Sequence, residues 1–165
     1  MDKKSLETAF NKELVPHGFK KKASSWYRQT IGALQVVDLQ KSAYGGQFYV
    51  NLCFVPDGMA VDGMPTPKEY KCPLRIRLDS VFPENSKQLE ELFDLEGQSL
   101  SETSRTKGVQ DVLIRMVIPF LDQLREPNDL RQGIIQGMFS RGLVNLAAQK
   151  HFGIDLNSGN QPQWT

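Results

Sequence analysis

Cysteine and histidine are scarce in this chain, two of each among 165 residues. Two cysteines cannot supply the paired sets of a structural zinc site, and neither His17 nor His151 stands at ligand spacing from a second donor. No metal is expected. Cys53 falls inside an alternating strand pattern and Cys72 on the approach to the next strand, which reads as two reduced, half-buried thiols rather than a disulfide. A reducing cytoplasm is the expected setting. Long apolar runs are missing too: no stretch nears the roughly 18 residues of a membrane span. The opening MDKKSLETAF lacks the apolar run and small-residue cleavage site of a secretory signal, so neither membrane insertion nor export by that route is expected. Charge of one sign is not in excess, with 20 basic and 19 acidic residues. There is no HExxH, phosphate loop or dinucleotide fingerprint, so no cofactor is expected and no catalytic residue is nominated.

What is present describes an ordinary globular domain. The chain is 39% hydrophobic and 24% charged, and at this length it should bury roughly 68 to 70% of its unfolded surface without help from a metal or disulfide. Its charges are unevenly placed. Residues 1 to 78 carry twelve basic and seven acidic side chains, whereas residues 79 to 103 carry seven acidic and one basic. Such a contrast can steer a partner or be two solvated faces.

Between Ser25 and Val55, three segments rich in aromatic and branched residues are separated only by glycine-bearing turns at Gly32 and at Gly45-Gly46. In the third, Phe48, Val50, Leu52 and Phe54 alternate with Gln47, Tyr49, Asn51 and Cys53, the period of two that gives a strand one core-facing side. A fourth strand is expected where Leu74, Ile76 and Leu78 alternate with Arg75, Arg77 and Asp79. The fold class is therefore α+β: a two-layer domain with an antiparallel meander of four or five strands, packed on one face by helices. One domain is expected over residues 1–154, with a C-terminal tail over 155–165.

The helices announce themselves by spacing. Ser5 is a candidate N-cap for a helix carrying Leu6, Ala9, Phe10 and Leu14, stopped by Pro16 and Gly18. Ser86 to Leu95 reads as a short acidic helix packing through Leu89, Leu92 and Phe93, followed by a polar connector over 96–107. Val109, Val112, Leu113, Met116, Val117, Phe120, Leu121 and Leu124 form a continuous apolar stripe, within which Pro119 predicts a kink or break near Ile118. Asn128 could cap a helix with Leu130, Ile134 and Met138, and a last helix is expected over Leu143 to Phe152. The 17 residues from Asp57 to Pro73 read as a long loop, a candidate binding element.

Two groups of residues are candidate ligand contacts. Gln40, Lys41 and Ser42, with Tyr44 just beyond, place amide, amine and hydroxyl groups at a strand end beside a glycine turn. Alternation puts Gln40 and Ser42 on one face with Asp38, and Lys41 on the other. Arg75 and Arg77 share one side of the fourth strand, roughly 7 Å apart, where they could grip an anion or pair with Asp38, Asp79 or the acidic helix. Trp26, Tyr27, Tyr44 and Tyr49, interleaved with Lys20 to Lys22, Arg28 and Lys41, are a weak hint of a single-strand stacking platform. Gly45-Gly46-Gln47 matches a tripeptide of translation release factors, but its place between two strand patterns reads as a hairpin.

The segments Gly18-Phe19-Lys20-Lys21-Lys22, Trp26-Tyr27-Arg28, Leu39-Gln40-Lys41-Ser42 and Phe48-Tyr49-Val50-Asn51-Leu52 resemble a bacterial family, domain of unknown function 4304. Glu69-Tyr70, Cys72, Arg75, Arg77, Leu78 and Ile118-Pro119-Phe120-Leu121-Asp122 continue the resemblance, which spans residues 5 to about 135. It implies no activity, and no catalytic residue is carried over from it. The leading expectation is a non-enzymatic module that binds an unknown protein partner through the open sheet face and the 57–73 loop. The alternative is a small anion or nucleic acid held by Lys20 to Lys22, Lys41, Arg75 and Arg77.

Overall fold

Alternation along Phe48–Pro56 makes this nine-residue strand the hub of the molecule, because both its sides find something to bury against. The computed structural model describes residues 1–157. Its sheet has six strands in chain order: β1 (Lys20–Lys22), β2 (Ser25–Gln29), β3 (Ala33–Lys41), β4 (Phe48–Pro56), β5 (Leu74–Arg77) and β6 (Leu143–Val144). Every neighbouring pair is antiparallel. The expected α+β meander is present, and its strand count is six rather than four or five. Both additions are edge strands without an alternation signal. β1 is three lysines, a sequence suited to a solvent-facing edge that must not recruit another sheet. β6 is two residues long.

One sheet face carries Trp26, Val37, Leu39, Val50, Leu52, Phe54, Leu74 and Ile76 into the main core. Helix α1 (Lys3–Leu14) covers it with Leu6, Ala9, Phe10 and Leu14. Phe10 meets Trp26 at 5.1 Å between ring centroids, and the indole nitrogen donates to Asn11 Oδ1 at 2.7 Å. The cap of α1 is Asp2, not Ser5; the Ser5 N–H donates to the Asp2 carboxylate at 2.7 Å.

Four shorter helices frame this layer: α2 (Leu78–Val81), α3 (Ser86–Phe93), α6 (Pro127–Ile135) and α7 (Leu146–Phe152). Between them the main covering helix runs as α4 (Glu102–Val112), a π-helical turn (Leu113–Val117) and α5 (Ile118–Asp122). Ser101 caps it, so much of the expected polar connector is helical. Pro119 does not break the rod. The turn before it widens, with Ile118 N–H donating five residues back to Leu113 O, and the helix continues past the residue that has no N–H to give. Glu126 and Asp129 form the capping box of α6, in place of Asn128. The expected helix over 143–152 is divided by Asn145, which ends β6 and caps α7 through the Ala148 N–H at 2.8 Å.

Buried polar groups tie the layers together. Arg28, 5% exposed, stacks on Phe19 at 4.6 Å, donates to Gln35 Oε1 at 3.1 and 2.8 Å, and meets Asp122 Oδ1 at 2.9 Å. Gln35, fully buried, donates in turn to the carbonyls of Leu121 and Leu124. Burial holds the Arg28 guanidinium below its ordinary value, against the opposing pull of Asp122.

The second face is not open throughout. Val36, Cys53, Val55 and Cys72 form a small second core under Met59 and Val61 of the 57–73 segment. Tyr27 Oη donates to Pro67 O at 3.0 Å and Lys22 Nζ to Thr66 Oγ1 at 2.8 Å. The loop is thus folded onto the sheet, because an apolar patch in the middle of the face has to be covered. At the C-terminal end Ile154 and Leu156 pack against the main core. Of the tail expected over 155–165, Leu156 packs on the core in this way, and residues 158–165 lie outside the described residues. No helix among the described residues is long and apolar enough to cross a membrane.

Candidate functional site

Strand register decides which polar residues meet. β3 and β4 set Gln40 opposite Tyr49 and Asp38 opposite Asn51, and β4 and β5 set Asn51 opposite Arg77 and Cys53 opposite Arg75. All lie on the second face; Cys53 belongs to the part that the loop covers, and the polar residues border it. Asn51 is buried and its amide donates to Gln40 Oε1 at 3.0 Å and to Asp38 Oδ2 at 3.3 Å. Asp38 also accepts from Ser25 Oγ at 2.6 Å.

The two arginines are held differently. Arg77 lies over the Tyr49 ring at 3.8 Å and meets Asp79 Oδ2 at 2.8 Å. Arg75 meets Glu69 Oε1 at 3.2 Å through Nη1, while its Nε is buried with no hydrogen-bond partner among the described residues. A guanidinium N–H without an acceptor is costly, because the desolvation of a charged group is not repaid. Burial raises the Glu69 carboxyl above its usual range, although Arg75 works against that rise.

These groups line a shallow hollow of about 270 Å³ that includes Gln40, Asn51, Glu69, Arg75, Arg77 and Arg141. Arg141 comes from the turn before β6. Gly142 lets that turn press on β5, since a Cβ there would collide with the Arg75 carbonyl oxygen and stand 2.9 Å from Ile76 Cβ. Arg141 is exposed and has no hydrogen-bond or ion-pair partner among the described residues.

Of the residues singled out from the sequence, Gln40, Arg75 and Arg77 come together here. Lys41, Ser42 and Tyr44 do not join them. Lys41 is exposed and, by alternation, belongs to the opposite side of β3. Ser42 Oγ accepts from the Tyr44 N–H at 3.1 Å and closes the hairpin, and the Tyr44 side chain projects into solvent, 89% exposed. Nor do Lys20 to Lys22 share a site with the arginines: β1 lies four strand spacings from β5, roughly 19 Å. Lys21 is instead paired with Glu7 at 3.1 Å. Asn51 could have been nominated from its polar place in the β4 alternation. Glu69 and Arg141 carry no such signal, since loop packing alone delivers them. Among the described residues no group of three or more His, Cys, Asp or Glu side chains could hold a metal ion.

Fold and face together define an α+β protein whose open antiparallel meander has helices on one side and, on the other, a loop-covered apolar half beside an arginine-bearing polar half. No curated protein and no solved structure matches the chain. A family model does: the chain belongs to the domain of unknown function 4304 family, DUF4304, whose model matches residues 10–123.

Proposed function

We propose that this protein is a binding module of the bacterial cytoplasm that holds a small anion, through a carboxylate or phosphate group, on the polar half of the second sheet face. The observation that carries this reading is Arg75, whose Nε is buried without a partner among the described residues and which lines a hollow together with Arg77 and Arg141. An anion there would give the Arg75 N–H its missing acceptor and could engage the unpartnered Arg141, with the Gln40 and Asn51 amides beside it. Guanidinium forks suit this task because their donors are planar and fixed. The apolar part of the face, which a protein partner would otherwise have covered, is occupied by the chain's own loop.

The test is calorimetric titration of the protein and of an Arg75→Ala, Arg77→Ala double variant with sulfate and with pyrophosphate. The parent should bind saturably and more weakly as salt rises. The variant should lose at least about tenfold, given about 1.5 to 3 kcal/mol for a charge-assisted hydrogen bond. Equal binding by parent and variant would overturn the proposal. Met64 and Tyr70 stand exposed on the loop and support a second reading, recognition of a protein partner. A specific partner from native lysate that is lost on substituting Met64 and Tyr70, yet indifferent to the two arginines, would establish that reading instead.

A further inference from the structure

A second hollow, of about 480 Å³, opens between α2, the π turn with α5, and the segment joining α6 to β6. Its volume is within the roughly 300 to 1,000 Å³ typical of small-molecule sites. The apolar wall comes from Val81, Phe82, Met116, Pro119, Phe120 and Met138. Phe120 belongs to the buried core, and the two methionines are half-buried beside it. Unbranched thioether side chains can reshape around a guest.

The charges that line this hollow are all of one sign. Arg115 and Arg141 are on its wall, and no Asp or Glu is among the lining residues. Neither arginine has a hydrogen-bond or ion-pair partner among the described residues. Arg115 and Met116 belong to the π turn, and Pro119, which that turn accommodates, also lines the hollow. Such turns recur at functional sites because they re-aim side chains at the cost of regular helical bonding.

We infer that this hollow binds an amphipathic monoanion, a carboxylate on a hydrocarbon body, with the carboxylate held by Arg115 and Arg141 and the body among Met116, Phe120 and Met138. Apolar walls with two acid-free guanidiniums complement such a molecule and disfavour a neutral or cationic one of equal length. The inference does not rest on the polar-face reading. Arg141 borders both hollows, but Arg115 borders only this one and Arg75 only the other.

The experiment titrates the protein with octanoate, octanol and octylammonium by calorimetry, and follows octanoate by backbone-amide NMR. Octanoate should bind saturably, at least about tenfold more tightly than either analogue, with shift changes gathered over residues 113–123 and 137–141. Arg115→Ala, a change at an exposed residue with no partner, should weaken octanoate by about tenfold and leave the thermal melt unchanged. Arg75→Ala should leave octanoate binding as it is. No saturable binding, equal affinity for octanol, indifference to Arg115→Ala, or loss on Arg75→Ala would each overturn the assignment.

Discussion

Arg105, 1% exposed, donates a 2.6 Å hydrogen bond from Nη1 to the carbonyl oxygen of Leu92. The same nitrogen donates to Glu91 O at 2.9 Å, and Nη2 to Gly97 O at 3.0 Å. No carboxylate among the described residues shares in this. A buried cation is tolerated because it sits at the C-terminus of α3, where unsatisfied carbonyls concentrate partial negative charge. Removing the side chain strands three acceptors and opens a cavity. Arg105→Ala should therefore cost about 3 kcal/mol or more, read as a lower midpoint in urea. Arg105→Lys should recover less than half of that, since one ammonium cannot span carbonyls from two directions. A midpoint unchanged in Arg105→Ala would contradict this account.

Glu69 should make the polar face sensitive to pH. Its folded-state value is raised by burial, so the folded form holds this proton more tightly than the unfolded chain does. This group favours folding most at low pH, and that contribution fades as pH rises through the folded value. Protonation also releases Arg75 from its 3.2 Å ion pair. Sulfate, whose charge stays constant over this range, should bind more tightly as pH falls from neutrality through the Glu69 titration. Glu69→Gln should tighten sulfate binding at neutral pH by about threefold to tenfold and flatten the pH profile. A profile that keeps its slope in Glu69→Gln would assign the titration to another group.

The thiols should be inert in the native state. Cys53 is fully buried, and burial first, then the neighbouring Cys72 thiol, pushes it well above the usual thiol range. Cys72 is buried as well and points its sulfur at Lys68 O, 3.7 Å away. Since the thiolate is the reactive form, an aromatic disulfide reagent should label neither cysteine without denaturant. Both should react in urea. Rapid native labelling would show that the loop over the second face opens readily.

Legibility followed the range of the interactions. The central strands and the apolar stripe of the covering helix could be read because periods of two and near 3.6 are written in consecutive residues. The caps were less legible. Asp2 rather than Ser5 caps α1, through the 2.7 Å bond from the Ser5 N–H, while Ser101 and Asn145 cap helices whose starts the spacing did not place. β1 and β6 carry no period at all, since three lysines and two residues are strands only by virtue of what they pair with.

Of the six nominated binding residues, Gln40, Arg75 and Arg77 share a face because strand alternation had already placed their side chains, and register then aligned β3 with β5 through β4. Lys41, Ser42 and Tyr44 follow Gln40 in sequence but leave that face, because alternation turns Lys41 away and the hairpin consumes the next residues.

Composition and periodicity by themselves determined the α+β class, the antiparallel meander and the apolar face that helices would cover, since those follow from local chemistry repeated along the backbone. Tertiary structure alone decided that the 57–73 loop lies on the second face, that Glu69 and Arg141 arrive beside Arg75, and that Arg115 borders an apolar hollow. These depend on contacts between residues far apart in sequence, whose energies come from burial and pairing once the chain has closed on itself.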